Sequence, residues 1–283
     1  MRAALIVNPG AGALSALAAP RASLSRALRE AGFLLGDLAE EAPLDVQWDE
    51  VEACDAEVVF VAGGDGTLRS AAARLLDRRL ALAPLPGGTM NRVCARLGLP
   101  RDPLDAAAAY RPDFFTTLDV ASANGEVFLY QSIVGQPSRL MRFREMQRGA
   151  GLTGWAPVLR AAARGMLRPP GQGLALRTGP RGRIRGHAAV VTLPAPGEPP
   201  LLLLDLARPA GPVARLRQAI RWLRGGLSRD AEVRSFLGRR FVVHGPTPWL
   251  RLSLDGEMHL VPGPVRFRLH PGALRLLPAK RVA

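Results

Sequence analysis

Apolar residues fall in short dense runs through the first part of the chain, and a spaced apolar pattern follows each run. AALIV at 3–7 predicts a buried strand, with the turn NPGAG after it. A helix is expected over about 20–31, where Leu24, Ala27, Leu28 and Ala31 share a face. VVFVA at 58–62 predicts the next strand, and Leu68, Ala71, Ala72, Leu75 and Leu76 then recur at the helical period. ALAPLPGGT at 81–89 reads as a third strand and turn, and MNRVCARLGL at 90–99 as its helix. The stretch 34–57 gives no clear signal, because DVQW at 45–48 makes a poor strand. Alternation of this kind argues for a parallel sheet flanked by helices.

The pattern changes after Pro112. TTLDVASANGEVFLYQSIVG at 116–135 reads as a hairpin turning at Asn124-Gly125. Strand-like runs follow at 175–193, 201–207, 239–245, 249–257 and 265–271, separated by turns rich in Gly and Pro. They predict a mostly β second half built from two packed sheets. One basic helix is expected over 213–227, with Leu216, Ile220, Leu223 and Leu227 turned inward. A loop is expected over Met166–Gly173, and Arg139, Arg142, Arg144 and Arg148 would coat a helix or form a basic rim.

Composition narrows the function. The 283 residues are 48% hydrophobic, enough for one large or two ordinary domains with a real core. The net charge of +14 favours anionic partners, although Lys280 is the sole lysine and a compositional bias toward arginine shares the credit. Aromatic residues are only 5% and are not interleaved with basic runs, which argues against nucleic acid as a partner. Cys54 and Cys94 are isolated thiols, and the four histidines lack metal-ligand spacing. The apolar N-terminal stretch is too short for a signal peptide, and LLLLDL at 201–206 is too short to span a bilayer. A cytoplasmic location, with visits to a membrane surface, is therefore expected.

Three strands of the first half end in a glycine turn before a helix: Asn8-Pro9-Gly10-Ala11-Gly12, Gly63-Gly64-Asp65-Gly66-Thr67, and Gly87-Gly88-Thr89-Met90-Asn91. Strand ends of a parallel sheet face one crevice, and the free N–H groups of helix starts bind phosphate there. A P-loop NTPase or a protein kinase needs a lysine in this region, and none exists. Nor does GGDGT have the spacing of a dinucleotide fingerprint. A carboxylate beside phosphate is repelled unless it holds a metal ion or takes a proton. Asp65 is therefore a metal-linked residue or a base, or else a simple helix N-cap. Asp255-Gly256 taken alone would be an ordinary hairpin turn.

In order along the chain, NPGAG, GGDGT, PGGTMN and LSLDGEMHL resemble the diacylglycerol kinase catalytic family, which includes bacterial lipid kinases and sphingosine kinases and is related to NAD kinases. The third element favours the lipid branch. The resemblance implies an α/β nucleotide domain over 1–115 and a β-sandwich lipid domain over 116–271, with 272–283 returning to the first. It implies ATP and Mg2+ as cofactors. Asn8 to Gly12, Gly63 to Thr67, Gly88 and Thr89 would line the ATP site, and Asn91 would fix the third turn. Glu257 would accept the proton of the lipid hydroxyl. Asp255 and Asp65 would complete an acidic cluster around Mg2+-ATP, and Asp119 would join a charged network with Arg96. The implied partners are a lipid substrate and the surface of an anionic membrane, and a homodimer is one assembly the resemblance allows. The chain also departs from the family pattern. Arg92 stands where Asp is frequent, no threonine-ending strand precedes GGDGT, and EPPLLLLDL lacks the Asp-Gly of a second, structural Mg2+ site. The rival readings are an NAD-kinase-like enzyme and a non-catalytic nucleotide- or lipid-binding regulator.

Overall fold

Runs that are apolar on both faces become the inner strands of a parallel sheet. This is seen in the computed structural model, which describes residues 1–36, 42–135, 173–177, 182–223 and 226–280. The strands β1 (Arg2–Val7), β2 (Leu34–Leu35), β3 (Val58–Gly63) and β4 (Ala81–Pro86) pair in parallel in the order β2-β1-β3-β4. Every residue of β3 and β4 is buried. The helices are α1 (Pro20–Glu30), α2 (Leu44–Ala53), α3 (Asp65–Leu75), α4 (Arg92–Arg96) and α5 (Pro103–Ala109). Leu24 and Leu28 of α1, and Leu68 and Ala72 of α3, are fully buried, and each such leucine contributes about 1.5–3 kcal/mol. Proline opens α1 and α5, where its missing N–H costs nothing, and Asp102 caps α5 by accepting from the N–H groups of Leu104 and Asp105.

The chain forms two compact units. The first comprises Met1–Val120, Ala195–Glu198 and His270–Ala283, and the second Ala121–Pro194 and Pro199–Leu269. The second unit is antiparallel. Strand β5 (Thr116–Ala123) crosses into it and pairs with β6 (Glu126–Phe128) around Asn124 and Gly125, both at positive φ. There follow β7 (Gln131–Gly135), β8 (Leu174–Arg177), β9 (Arg183–Gly186), β10 (Ala188–Thr192), β11 (Leu202–Ala207), α6 (Pro212–Leu223), β12 (Val233–Gly238), β13 (Arg240–His244), β14 (Trp249–Leu254), β15 (Glu257–Pro262) and β16 (Val265–Leu276). One sheet runs β12-β11-β10-β7-β14-β15. A second layer holds β9, β8, β13 and the first residues of β16. Alternation fills one core between them: Val265, Phe267 and Leu269 point inward with Leu202, Leu204, Leu206, Leu252 and Leu254, while Arg266 and Arg268 point out.

β16 does not stop at Pro271 as the run 265–271 suggested. It continues as one strand, and its far end joins the first unit, where Leu276 pairs in parallel with Leu82 of β4. Among the described residues, only that end of β4 is paired on this side. Residues 84 and 86 share the side of Leu82 and are prolines, which have no N–H to leave unmet. The Pro84 carbonyl, which does need a partner, accepts from the hydroxyl of buried Tyr110 at 2.8 Å.

The stretch 45–48, which gave no clear signal, is part of α2, and one sequence expectation changes. The basic helix is turned the other way round: Ala214 and Gln218 are buried, whereas Leu216 and Ile220 are exposed. Leu227 is buried as expected, in a short turn after α6. Gln218 can face inward because its amide reaches Asp230, at 3.3 Å, so the buried polar group has a partner. The four arginines at 139, 142, 144 and 148, and most of the 166–173 loop, lie outside the described residues.

Candidate functional site

Within the first unit, the three glycine turns are tied to one another. β1 ends at Val7, and the next residue, Asn8, spans turns one and two. Its Nδ2 donates to Thr67 Oγ1 at 2.8 Å, while its Oδ1 accepts from the Gly10 N–H at 3.1 Å. Turn one also reaches turn three: the Ala13 N–H donates to the Gly87 carbonyl at 2.8 Å. Turns two and three are packed backbone on backbone. A Cβ on Gly88 would lie 2.6 Å from Gly64 Cα, and one on Gly87 would lie 2.8 Å from Gly63 N. These glycines are required by close approach, not by unusual dihedrals. Thr67 lies against Gly63, and Gly12 lies near Thr89. Pro9, Gly10, Gly12 and Thr89 are exposed at the rim, Ala11 is buried, and Gly64 to Thr67 are half-buried.

Asn91 sits in the left-handed region, at φ 47°, and closes turn three with its own side chain. It accepts from the Gly88 N–H and donates to the Gly88 carbonyl, both at 2.8 Å. Asp65 is the first residue of α3, and Gly64 takes the cap position. The carboxylate of Asp65 instead crosses to the neighbouring helix, where Oδ1 accepts from the Val93 N–H at 2.9 Å and so caps α4. It also lies close enough to Cys94 to matter: burial, reinforced by the charge of Asp65, holds the Cys94 thiol well above its usual range. Cys94 is therefore an inert packing residue. Asp119 accepts from the Gly272 N–H at 2.8 Å and fixes the bend of β16, where Gly272 has φ 60°.

One positioning residue of this region was not read from the sequence. Gln47 on α2 is buried, and its amide clamps the end of β1. Oε1 accepts from the Val7 N–H at 2.7 Å, and Nε2 donates to the Val7 carbonyl at 3.0 Å and to the Ala42 carbonyl at 2.6 Å. This fixes the point from which turn one departs. The only signal was a glutamine one helical turn before buried Val51.

The second unit carries the remaining two candidates. β14 and β15 form a hairpin turning at Asp255 and Gly256, with φ of 48° and 103°. Asp255 is buried and serves the backbone. Its Oδ2 accepts from the Leu129 N–H at 2.7 Å, and its Oδ1 from the N–H groups of Tyr130 and Gln131 at 2.8 and 2.9 Å. Asp255 thus anchors the turn to the start of β7. Glu257, the first residue of β15, is exposed. Among the described residues, no three His, Cys, Asp or Glu side chains gather as a metal site. Nor, among them, is any helix long and apolar enough to cross a membrane.

Comparison with known proteins extends these observations. Residues 2–123 match the family described as the diacylglycerol kinase catalytic domain. The chain is 32% identical over 108 residues to the "Probable lipid kinase YegS-like" of Klebsiella pneumoniae (strain 342), covering 34% of this chain and 36% of that protein. It is 30% identical over 133 residues to the diacylglycerol kinase of Bacillus subtilis (strain 168), covering 45% of this chain and 44% of that one. The match thus spans less than half the length of either relative. Solved structures of two chains from Bacillus anthracis str. Sterne superpose with TM-scores of 0.69 and 0.66, at 20% and 19% identity. Each covers 100% of this chain and 98% of the other, and the second is described as a diacylglycerol kinase. The fold is therefore shared over the whole chain, and residues 2–123, the stretch that holds all three glycine turns, match the model of the diacylglycerol kinase catalytic domain.

Proposed function

We propose that the chain is an ATP-dependent lipid kinase, transferring the γ-phosphate of ATP to the hydroxyl of diacylglycerol or a related lipid. The observation that carries this reading is the packing of three glycine turns around one carboxylate, Asp65, in the first unit. Glycines this close present bare backbone to a ligand, and phosphate is the group that exploits it. An oxygen ligand of the type magnesium takes is supplied there by Asp65, with Asp119 as a second carboxylate of the same unit. A divalent ion arriving with the triphosphate would neutralise charge on the phosphate oxygens.

In this reading Glu257 is the base. The lipid hydroxyl oxygen bonds to the γ-phosphorus as the bond from that phosphorus to the bridging oxygen of ADP breaks, and the hydroxyl proton passes to the Glu257 carboxylate. Asp255 acts through Glu257, because its three backbone hydrogen bonds set the turn from which Glu257 projects. Lipid is the partner, and an anionic membrane surface is where it would be met.

The test is phosphotransfer from labelled ATP to detergent-dispersed diacylglycerol, to related lipids and to NAD. Labelled phospholipid product supports the reading. Label on NAD alone, or ATP binding with no turnover on any acceptor, overturns it.

A further inference from the structure

Helix α6 is amphipathic in the reverse of the usual sense. Its inner side carries Ala214 and Gln218, both buried, and Trp222, which packs on the outer face of the six-stranded sheet and donates to Gln131 Oε1 at 3.0 Å. Ion pairs hold the helix down. Arg217 Nε and Arg221 Nη1 reach the buried Asp230 carboxylate at 2.7 and 3.0 Å. The outer side is an apolar stripe with i, i+3, i+7 spacing: Val213 is 79% exposed, Leu216 46% and Ile220 41%. An apolar stripe on the solvent side of a firmly anchored helix marks an interaction surface.

Charge selects the occupant. Between Asp205 and Asp230 the chain has six arginines, at 208, 215, 217, 221, 224 and 229; Arg217 and Arg221 pair with Asp230, so the excess positive charge of the segment comes from the other four. Arg208 and Arg229 are exposed at either end of the helical segment. A short apolar stripe among arginines matches the boundary between the headgroups and acyl chains of an anionic bilayer. It is a poor match for a second copy of the chain, which would bring the same positive charge and which needs roughly 20–30 residues a side for a stable contact.

We propose that α6 is the membrane-seating element of this protein: Val213, Leu216 and Ile220 enter the interface of an anionic leaflet, and the flanking arginines meet its headgroups. The choice of a membrane rests on the lipid-kinase reading. The test uses no ATP, so the two can fail separately.

The full chain is sedimented with vesicles of equimolar phosphatidylglycerol and phosphatidylcholine, and with vesicles of phosphatidylcholine alone. The wild type should pellet with the first and much less with the second. L216S/I220S changes two exposed positions, so its thermal midpoint should match the wild type, while its vesicle affinity should fall at least about tenfold. In a second readout, Leu216→Cys is labelled with an environment-sensitive dye in a Cys54→Ser background, and its emission should shift to the blue only on anionic vesicles. Undiminished binding by L216S/I220S overturns the proposal. So does a dye that stays water-like while the protein pellets. A wild-type dimer that L216S/I220S dissociates without losing vesicle binding would assign the stripe to self-association instead.

Discussion

Two aspartates stand beside glycine in turns, Asp65 in GGDGT and Asp255 in LDGE, and the structure uses them differently. Asp255 is buried and gives both oxygens to three backbone N–H groups of a single segment. Asp65 is half-buried and caps a neighbouring helix through Oδ1. A carboxylate bound by three N–H groups is a fixed structural acceptor, whereas in the proposed function one beside three linked glycine turns lies where a ligand's charge would be. The sequence Asp-Gly does not distinguish these cases. The backbone donors that the fold brings to each carboxylate do.

The comparison breaks most sharply on activity. Asp65→Asn keeps an oxygen for the Val93 N–H and removes only the charge. If the kinase reading holds, turnover should fall by about 10²–10³-fold or more at an almost unchanged thermal midpoint. Steady-state kinetics within a few-fold of wild type would remove Asp65 from the site. Asp255→Ala should show the opposite emphasis. It strands buried donors, and each unmet donor costs about 1–3 kcal/mol, so denaturant unfolding should report a loss of about 3 kcal/mol or more. If stability holds and only the rate changes, the anchoring role is wrong.

The glycines sharpen the contrast on a smaller scale. Gly88→Ala drives a Cβ to 2.6 Å from Gly64 Cα and should cost about 1–3 kcal/mol together with nucleotide affinity. Gly64→Ala meets Gly88 Cα at an ordinary 3.6 Å, so it should stay folded and report ligand approach alone in calorimetric ATP titration. Equal stability losses in the two variants would show that the turns repack. The smallest effect belongs to a third carboxylate, Asp230, which is tied mainly by cations. Its hydrogen bonds from Arg217 hold it well below the usual carboxylate range. Its contribution is complete above the ordinary value of 3.8 and fades as pH falls below that toward its depressed folded value. Both arginines are partly exposed, so the effect is modest. Asp230→Asn should flatten the acid side of a thermal-midpoint profile and, if the kinase reading holds, leave turnover untouched.

Much of this was legible in advance where local pattern and tertiary role agree. The doubly apolar runs at 3–7, 58–62 and 81–86 could only be inner strands, and the Asn124-Gly125 hairpin announced itself by turn chemistry. The three glycine turns could be read because close backbone approach excludes other residues. α2 was missed because its buried residues, Gln47 and Val51, mix a polar side chain into the apolar face. That amide is used to hold the end of β1, a pairing 40 residues away that no local pattern reveals. The facing of α6 was misjudged for a related reason. Periodicity finds the apolar side of a helix but not which side the protein buries, and here Gln218, Trp222 and the Asp230 ion pairs decide it.

The single strand β16 has a consequence for the order of synthesis. β4 is made early, but its neighbour at Leu276 is about 190 residues later in the chain. At ribosomal speeds of about 5–20 residues per second, the first sheet waits on the order of ten seconds or more with one side unoccupied. During that interval Pro84 and Pro86 act as a temporary guard, since an edge lacking N–H groups at two successive outward positions is a poor template for a stray strand. Replacing both with valine should therefore lower the yield of soluble chain during translation more than it lowers the unfolding temperature of chains already folded. Pulse-labelled nascent chains would separate the two, and an equal effect on both would assign the prolines to the finished fold alone.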